Sequence, residues 1–532
     1  MRKYGVALLL SLVCSLSAQL PYKYRVFLTD KQQNATLLST PEVLLSEKAL
    51  ARRVHHEVFV DTTDLPVSAT YIARLAEAGF PFVCASRWFN SVVVASADSD
   101  AIEALRGLPF VSDAKLVWKD NKVQPSFFVK EDVVGKKERR AEVAALAQLT
   151  VHHGEMLHKE GYRGDGMLIA VIDAGFLNAD KIAAFEGKIA GTRDFVNPEI
   201  DIFATDPHGT NVLSVMATPA SDEFSGTAPN ATYWLLRSED GSSEYPVEED
   251  YWIAAAEYAD SLGVDIINSS LGYSLFDDPQ MNYTLSDIDG KSAFITRGAS
   301  MAASKGMLVI NSAGNEGQKP WRMLTFPADS PDVLTVGAVT PTLQVAGFSS
   351  HGFVSKGYVK PDIAGIGAPA FILDDSGELV SAQGTSFSTP AITGLAACLW
   401  QSLPNLKNRD LIRLMHEYGS FATQPDSLRG YGLPDVYQAF SQTTPLNPAK
   451  QTTMQLIPVD TLSGIWRLTG FPETEAEGML RLFDPTGQAK AYFSFQGNNP
   501  LFDLNHLEKG LYIMCVEAPT IRFTQQIHLH GK

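Results

Sequence analysis

Cysteine is scarce, with four in 532 residues. Cys14 falls in an N-terminal stretch that reads as a leader, leaving Cys84, Cys398 and Cys515, an odd number spread over three segments of different character. That excludes a disulfide framework, and three buried thiols are expected instead. Positive charge is also in short supply: 43 Lys and Arg stand against 60 Asp and Glu, a net charge of −17. Such a balance repels a phosphate backbone, so nucleic acid is not an expected partner. Beyond the leader no apolar run approaches the roughly 20 residues that cross a bilayer. There is no internal repeat and no low-complexity tract. What is present is 45% hydrophobic and 19% charged, with 40 Gly and 29 Pro, the composition of a globular protein with true cores. The length leaves room for about two to four folding units.

The leader consists of Arg2 and Lys3, an apolar stretch over residues 6–13, and the small residues Ser15, Ser17 and Ala18. This is the layout of a signal peptide cleaved after Ala18, which places the mature chain outside the cytoplasm with no transmembrane segment.

Residues 22–120 predict an α+β unit. Strand-like runs at 24–28, 82–86, 91–97 and 110–117 alternate with helical periodicity at 69–78 and 100–106, stopped by Gly79 and Gly107. The order β-α-β-β-α-β is ferredoxin-like. A charged stretch over 130–147, with Lys136-Lys137-Glu138-Arg139-Arg140, reads either as an exposed linker open to proteolysis or as a solvated helix face. From 149 to 442, short buried strands (167–172, 232–236, 265–268, 307–311, 333–339) alternate with helices (252–262, 298–305, 389–402). That pattern predicts an α/β fold, a mostly parallel sheet with helices on both faces and its site at the carboxyl ends of strands. Residues 449–532 carry short alternating strands and turn signals such as Asp484-Pro485-Thr486-Gly487, hence a small β domain. Residues 19–145 hold 17 basic and 16 acidic residues, so the excess of negative charge lies C-terminal to them.

Four segments of the α/β region bring reactive residues to strand ends or helix starts: Ile172-Asp173-Ala174-Gly175, Asp206-Pro207-His208-Gly209-Thr210, Asn311-Ser312-Ala313-Gly314-Asn315 and Gly384-Thr385-Ser386-Phe387-Ser388-Thr389-Pro390. Amide hydrolysis needs a nucleophile, a base for its proton, a group that fixes the base's tautomer, and a donor for the oxyanion. Ser386, His208, Asp173 and Asn315 supply one each. Singly, each has a plainer reading: a helix N-cap for Ser386, a solvated residue at a helix start for His208, an Asx turn for Asp173, and a left-handed turn residue for Asn315. No Gly-x-Ser-x-Gly elbow surrounds Ser386, and the chain order of the triad disagrees with an α/β-hydrolase lipase or esterase.

Taken in chain order, Asp173, His208 and Ser386 follow the known subtilisin sequence of triad residues, a correspondence rather than a derivation. Residues 149–442 resemble the peptidase domain of the subtilisin-like serine proteases. The resemblance implies that Asp173 orients His208, that His208 is the general base, that Ser386 attacks and that Asn315 donates to the oxyanion. It also implies that Ser270-Leu271-Gly272 and Ser312-Ala313-Gly314 form the two walls of a substrate cleft. Thr227-Ala228-Pro229-Asn230-Ala231, Phe348-Ser349-Ser350 and Lys360-Pro361-Asp362-Ile363 match further landmarks. Asn211 stands where the family has a second His, and Ala174 where Thr or Ser is common; neither position performs a required step.

By the same resemblance, residues 19–148 are an inhibitory propeptide cut between 121 and 149, the rival being a retained accessory domain. Residues 449–532 resemble a type IX secretion sorting domain through Leu482-Phe483-Asp484-Pro485-Thr486-Gly487-Gln488, Phe502-Asp503-Leu504 and Leu507-Glu508-Lys509-Gly510-Leu511-Tyr512-Ile513; a plain β-sandwich that binds carbohydrate or protein is the alternative. The whole then reads as a serine endopeptidase acting on peptides or proteins, secreted by or displayed on a Gram-negative bacterium. It requires no cofactor for its chemistry and no metal residue is assigned. Asp277, Asp278, Asp287 and Asp289 form an acidic cluster open to calcium or to solvent alone. The competing function is a catalytically silent surface binding protein on the same fold.

Overall fold

The computed structural model describes residues 20–120, 146–221, 224–354, 357–443, 455–460, 464–469, 471, 477–484, 488–497, 500–518 and 521–529. The leader, the charged stretch around Lys136, and the Pro485-Thr486-Gly487 turn lie outside them. The chain divides at Ser441/Gln442 into two units.

The first unit opens with β1 (Tyr22–Leu28), α1 (Glu47–His56), α2 (Ala69–Glu77), β2 (Phe82–Ser86), β3 (Ser91–Ser96), α3 (Ala101–Arg106) and β4 (Val111–Lys119). The strands form an antiparallel sheet in the order β2-β3-β1-β4, as the ferredoxin-like reading expects. Alternation within β1 gives the sheet two buried faces. Tyr24, Val26 and Leu28 meet Tyr71 and Leu75 of α2 and Leu105 of α3, whereas Lys23 and Arg25 point the other way. Helix α1 is an addition to the expected order. Its turns carry Arg52, Arg53, His55 and His56, so it has no apolar stripe to betray it. It is held by an N-cap, Ser46 accepting from Ala49 N–H, and by ion pairs to the α/β region.

That region contains β5 (Leu168–Asp173), β6 (Ile189–Asp194), α4 (His208–Ala217), β7 (Thr232–Arg237), α5 (Val247–Leu262), β8 (Ile266–Ser269), α6 (Phe294–Ser304), β9 (Leu308–Ser312), β10 (Leu334–Val339), β11 (Ile363–Ile366), the hairpin β12 (Ala370–Leu373) and β13 (Leu379–Ala382), α7 (Thr385–Ser402), α8 (Asn408–Glu417) and α9 (Val436–Thr443). Seven strands form a parallel sheet in the order β11-β10-β9-β8-β5-β7-β6. Residues of β5 alternate between the faces. Ile169 and Val171 pack with α4 and α7, while Ala170 and Ile172 pack with α5 and α6. This two-sided burial explains the unbroken apolar runs. The order reverses between β5 and β8, and the carboxyl ends there are where a cleft is expected.

Beside β10 and β11, Lys360 is fully buried with Nζ 2.6 Å from Asp362, which His416 also contacts at 3.0 Å. Burial alone would push the Asp362 carboxyl up, but the Lys360 ammonium and the His416 bond hold it below the usual carboxylate value. A depressed carboxylate contributes stability above its unfolded pKa, about 3.9, and loses it as pH falls through the lower folded value. Asp362→Asn is therefore expected to lower Tm at neutral pH and to flatten the acid limb of a Tm–pH profile below about pH 5.

The N-terminal sheet turns its polar face onto α5. Arg25 forks onto Asp250 with two 2.7 Å bonds, the side chains 3% exposed. Glu257 receives Ser86 Oγ, Arg87 N–H and Trp88 N–H from the β2–β3 turn at 2.6–3.0 Å. Asp260, wholly buried, is shared by Arg52, Arg53 and Arg87.

In the second unit β14 (Gln455–Asp460), β15 (Ile465–Thr469) and β18 (Leu501–Asp503) make one sheet; β17 (Ala489–Gln496), β16 (Glu477–Phe483), β19 (Gly510–Ala518) and β20 (Ile521–Leu529) make the other. Leu468, Phe502, Leu480, Leu482 and Met514 share one core, so the unit is a small β-sandwich. Of the three thiols expected to be buried, Cys84 and Cys398 are; Cys515 is partly exposed, because it alternates along β19 with the buried Met514 and Val516 and so lies on the strand's other face. All three are free.

Candidate active site

Asp173 ends β5 with its side chain wholly buried. Its Oδ1 accepts Ala174 N–H and lies 2.7 Å from His208 Nδ1, while Oδ2 has no partner among the described residues. A carboxylate can only accept, so in the neutral imidazole Nδ1 carries the proton and Nε2 the lone pair. The bond to Ala174 is to the adjacent N–H, not the Gly175 N–H an Asx turn would use, and it shares its oxygen with His208. His208 is the first residue of α4, and Asp206 Oδ1 accepts its N–H at 2.7 Å. Two glycines allow the loops carrying Asp173 and His208 to touch. Gly209 N–H donates to Gly175 O at 3.0 Å, and a Cβ on Gly209 would lie 2.4 Å from that oxygen. A Cβ on Gly175 would lie 2.2 Å from Thr205 Oγ1.

Ser386 is the second residue of α7 and Gly384 occupies the cap position, so Ser386 is not an N-cap. The first-turn N–H groups and the positive helix end face outward beside its side chain. Pro390 lies one turn further on. Lacking an N–H, it cannot bond the Ser386 carbonyl as an ordinary helical residue would. That carbonyl instead accepts Ser270 Oγ at 3.0 Å. The Asn315 amide is oriented by the same helix start, its Oδ1 accepting Thr385 N–H at 3.0 Å and Thr385 Oγ1 at 2.9 Å. Because the Thr385 N–H must donate, the oxygen is assigned without ambiguity and Nδ2 is the donor end of the amide. The left-handed residue of this turn is Gly314, with φ +98°, not Asn315.

Ser270-Leu271-Gly272 leave the end of β8 and Ser312-Ala313-Gly314 the end of β9, side by side. Asn311 Nδ2 ties them by donating to Leu271 O at 3.0 Å. Between them opens a cavity of about 330 Å³ lined by Ser270, Leu271, Gly272, Ser312, Gly314, Asn315 and Ser386. Ala313 is buried behind its wall, and Asp173 and His208 lie outside the lining. Thr325, Trp321 and Glu244 also line it, from segments in which no motif marked them.

The four aspartates singled out for calcium are largely taken up by the chain's own donors. Asp278 binds Lys119 and caps the turn at Pro279–Met281, Asp287 caps Thr284, and Asp289 accepts Lys291 and Ser292 N–H groups. Among the described residues the carboxylates close enough to share an ion are Glu239, Glu244 and Glu248, within 4.8 Å of one another. Glu239 already accepts Tyr273 Oη, and Glu248 the N–H groups of Asp240 and Tyr245. No helix among the described residues is long and apolar enough to cross a membrane.

Residues 164–432 match the subtilase family, Peptidase S8, and residues 23–132 match the Peptidase S8 propeptide domain of Bacteroidota. Subtilisin E of Bacillus subtilis is 29% identical over 301 residues, 56% of this chain and 71% of its own. The thermostable alkaline protease of Halalkalibacterium halodurans is 27% identical over 348 residues, 64% of this chain and 85% of its own. MycP1 from Mycobacterium smegmatis superposes with a TM-score of 0.45 at 22% identity, covering 59% of this chain and 88% of that one. With that family match spanning half of its residues, the chain belongs to the subtilase family and is a serine endopeptidase preceded by a Bacteroidota-type propeptide domain.

Proposed function

We propose that the chain cleaves peptide bonds through Ser386, His208 and Asp173 by way of an acyl-enzyme. The reading rests above all on the 2.7 Å bond from His208 Nδ1 to Asp173, beside a cleft lined by both Ser386 and Asn315. Ser386 Oγ attacks the scissile carbonyl carbon as its proton passes to His208 Nε2. The oxyanion so formed is met by Asn315 Nδ2 and the Ser386 N–H. Collapse expels the amine, which takes the proton from His208 and leaves an ester on Ser386. Water, deprotonated by the same imidazole, attacks the ester and releases the acid. Asp173 holds the tautomer and stabilises the imidazolium, and no cofactor enters any step. The peptide backbone lies along Ser270-Leu271-Gly272 and the side chain enters between the two walls.

The N-terminal sheet, locked onto α5, acts in this reading as the chain's own inhibitor until it is cut away between residues 121 and 149. The leader and the C-terminal sandwich serve export, the latter through a secretion machinery, to the surface or medium of a Gram-negative bacterium.

Asn315→Ala is expected to lower kcat by about 100- to 1,000-fold with KM little changed, because the lost donor acts only on the developing oxyanion. The proposal is tested by a fluorophosphonate probe and digestion of an unfolded protein, each followed by intact-mass analysis. Labelling and cleavage are expected. A protein that has shed its N-terminal residues and still neither labels nor cleaves would overturn it.

A further inference from the structure

The gap between the two walls is closed at its base by Thr325. Its N–H donates to Ala313 O at 3.2 Å, and its neighbour Phe326 pairs with Tyr273 through two 2.9 Å bonds, so the residue is pinned to both walls. A Cβ on Gly272 would lie 2.0 Å from Thr325 Oγ1, and one on Gly314 would lie 2.7 Å from it. The hydroxyl therefore stands directly between the walls, each of them a glycine where it faces Thr325. Thr325 is 5% exposed, and its Oγ1 is buried with no hydrogen-bond partner among the described residues, although the residue lines the cavity. A β-branched side chain at the base shortens the cleft, and a desolvated hydroxyl without a partner favours any occupant that supplies one.

Given the reading of Ser386 as nucleophile, on which this rests, we propose that Thr325 determines primary specificity and selects short side chains carrying a hydrogen-bonding group, serine and asparagine, over aromatic ones. The charges of Glu316 and Lys319 at the cavity pair with each other at 3.2 Å and leave no bias of their own.

The test uses peptides of one sequence with Ser, Asn, Ala, Phe or Lys before the scissile bond. The full-length protein and its Thr325→Val and Thr325→Gly variants are compared, rates being normalised to the fraction labelled by fluorophosphonate. Wild type is expected to prefer Ser and Asn over Ala by about tenfold or more, with Phe the poorest. Thr325→Val, which keeps the bulk and loses the hydroxyl, should abolish the Ser-over-Ala preference yet still reject Phe. Thr325→Gly should raise Phe relative to Ser by about tenfold or more. Phe as the best wild-type substrate, Lys as the best (which would place selection on Glu244), or ratios unchanged in both variants would overturn the proposal. Absence of labelling in wild type would instead remove the nucleophile on which it stands.

Discussion

Ser386→Ala should lose about four to six orders of magnitude in kcat, a size known for triads of this kind rather than derived from the geometry. The residue is 6% exposed and its carbonyl is tied to Ser270, so removing one oxygen leaves both packing and backbone bonds in place. The variant should therefore unfold within a degree or two of wild type while failing to label with a fluorophosphonate. That pairing separates a chemical role from a structural one. Loss of labelling together with a large fall in Tm would mean that Ser386 holds the helix start, and activity surviving the change within tenfold would assign the nucleophile elsewhere. Binding of an uncleaved peptide should persist, since the cleft walls do not include the missing oxygen.

Asp260→Ala carries the second large effect. Three guanidinium groups, Arg52, Arg53 and Arg87, converge on this one fully buried carboxylate; Arg53 also bonds Asp64, and Arg87 has Glu257 at 4.0 Å. Deleting one partner of a buried pair leaves uncompensated charge and costs about 3–5 kcal/mol. The cost falls on the docked state alone, because Arg52, Arg53 and Arg87 all belong to the N-terminal propeptide domain, residues 23–132, and regain water when it leaves. The propeptide domain should thus be released more than about a hundredfold more readily. In the full chain this appears as faster fluorophosphonate labelling and as faster hydrogen exchange in α1 and β1, with the parallel sheet unaffected. If exchange instead rises throughout α5 and β8, Asp260 is a foundation of the peptidase fold itself.

The residues proposed for the chemistry could be singled out because each sits where a buried strand or helix start must deliver it, and their order along the chain is informative. Asp173 is the polar end of an apolar run, His208 opens a helix after Asp206-Pro207, and Ser386 comes two residues after Gly384 at the head of the longest helix among the described residues. The strands of the parallel sheet were legible for the same reason, their two-sided burial leaving an unbroken apolar signature. Other parts gave no such sign. Helix α1 is held by ion pairs rather than by an apolar stripe, and edge strand β6 carries Gly191, Arg193 and Asp194 in place of an apolar run. Thr325 belongs to a loop between β9 and β10, and only pairing in space of Phe326 with Tyr273 brings it under the cleft. Periodicity is local, and these contacts are not.

The missing N–H of Pro390 has a mechanical consequence. Through the Ser270 hydroxyl, the carbonyl of Ser386, the proposed nucleophile, is fastened to the segment along which a peptide is proposed to lie. In that reading the nucleophile and the rail for its substrate form one body, and their spacing does not depend on the loop over residues 273–291. Variation in that loop should tune which chains dwell in the cleft and for how long, while the attack distance, and with it the rate of the bond-making step, stays constant.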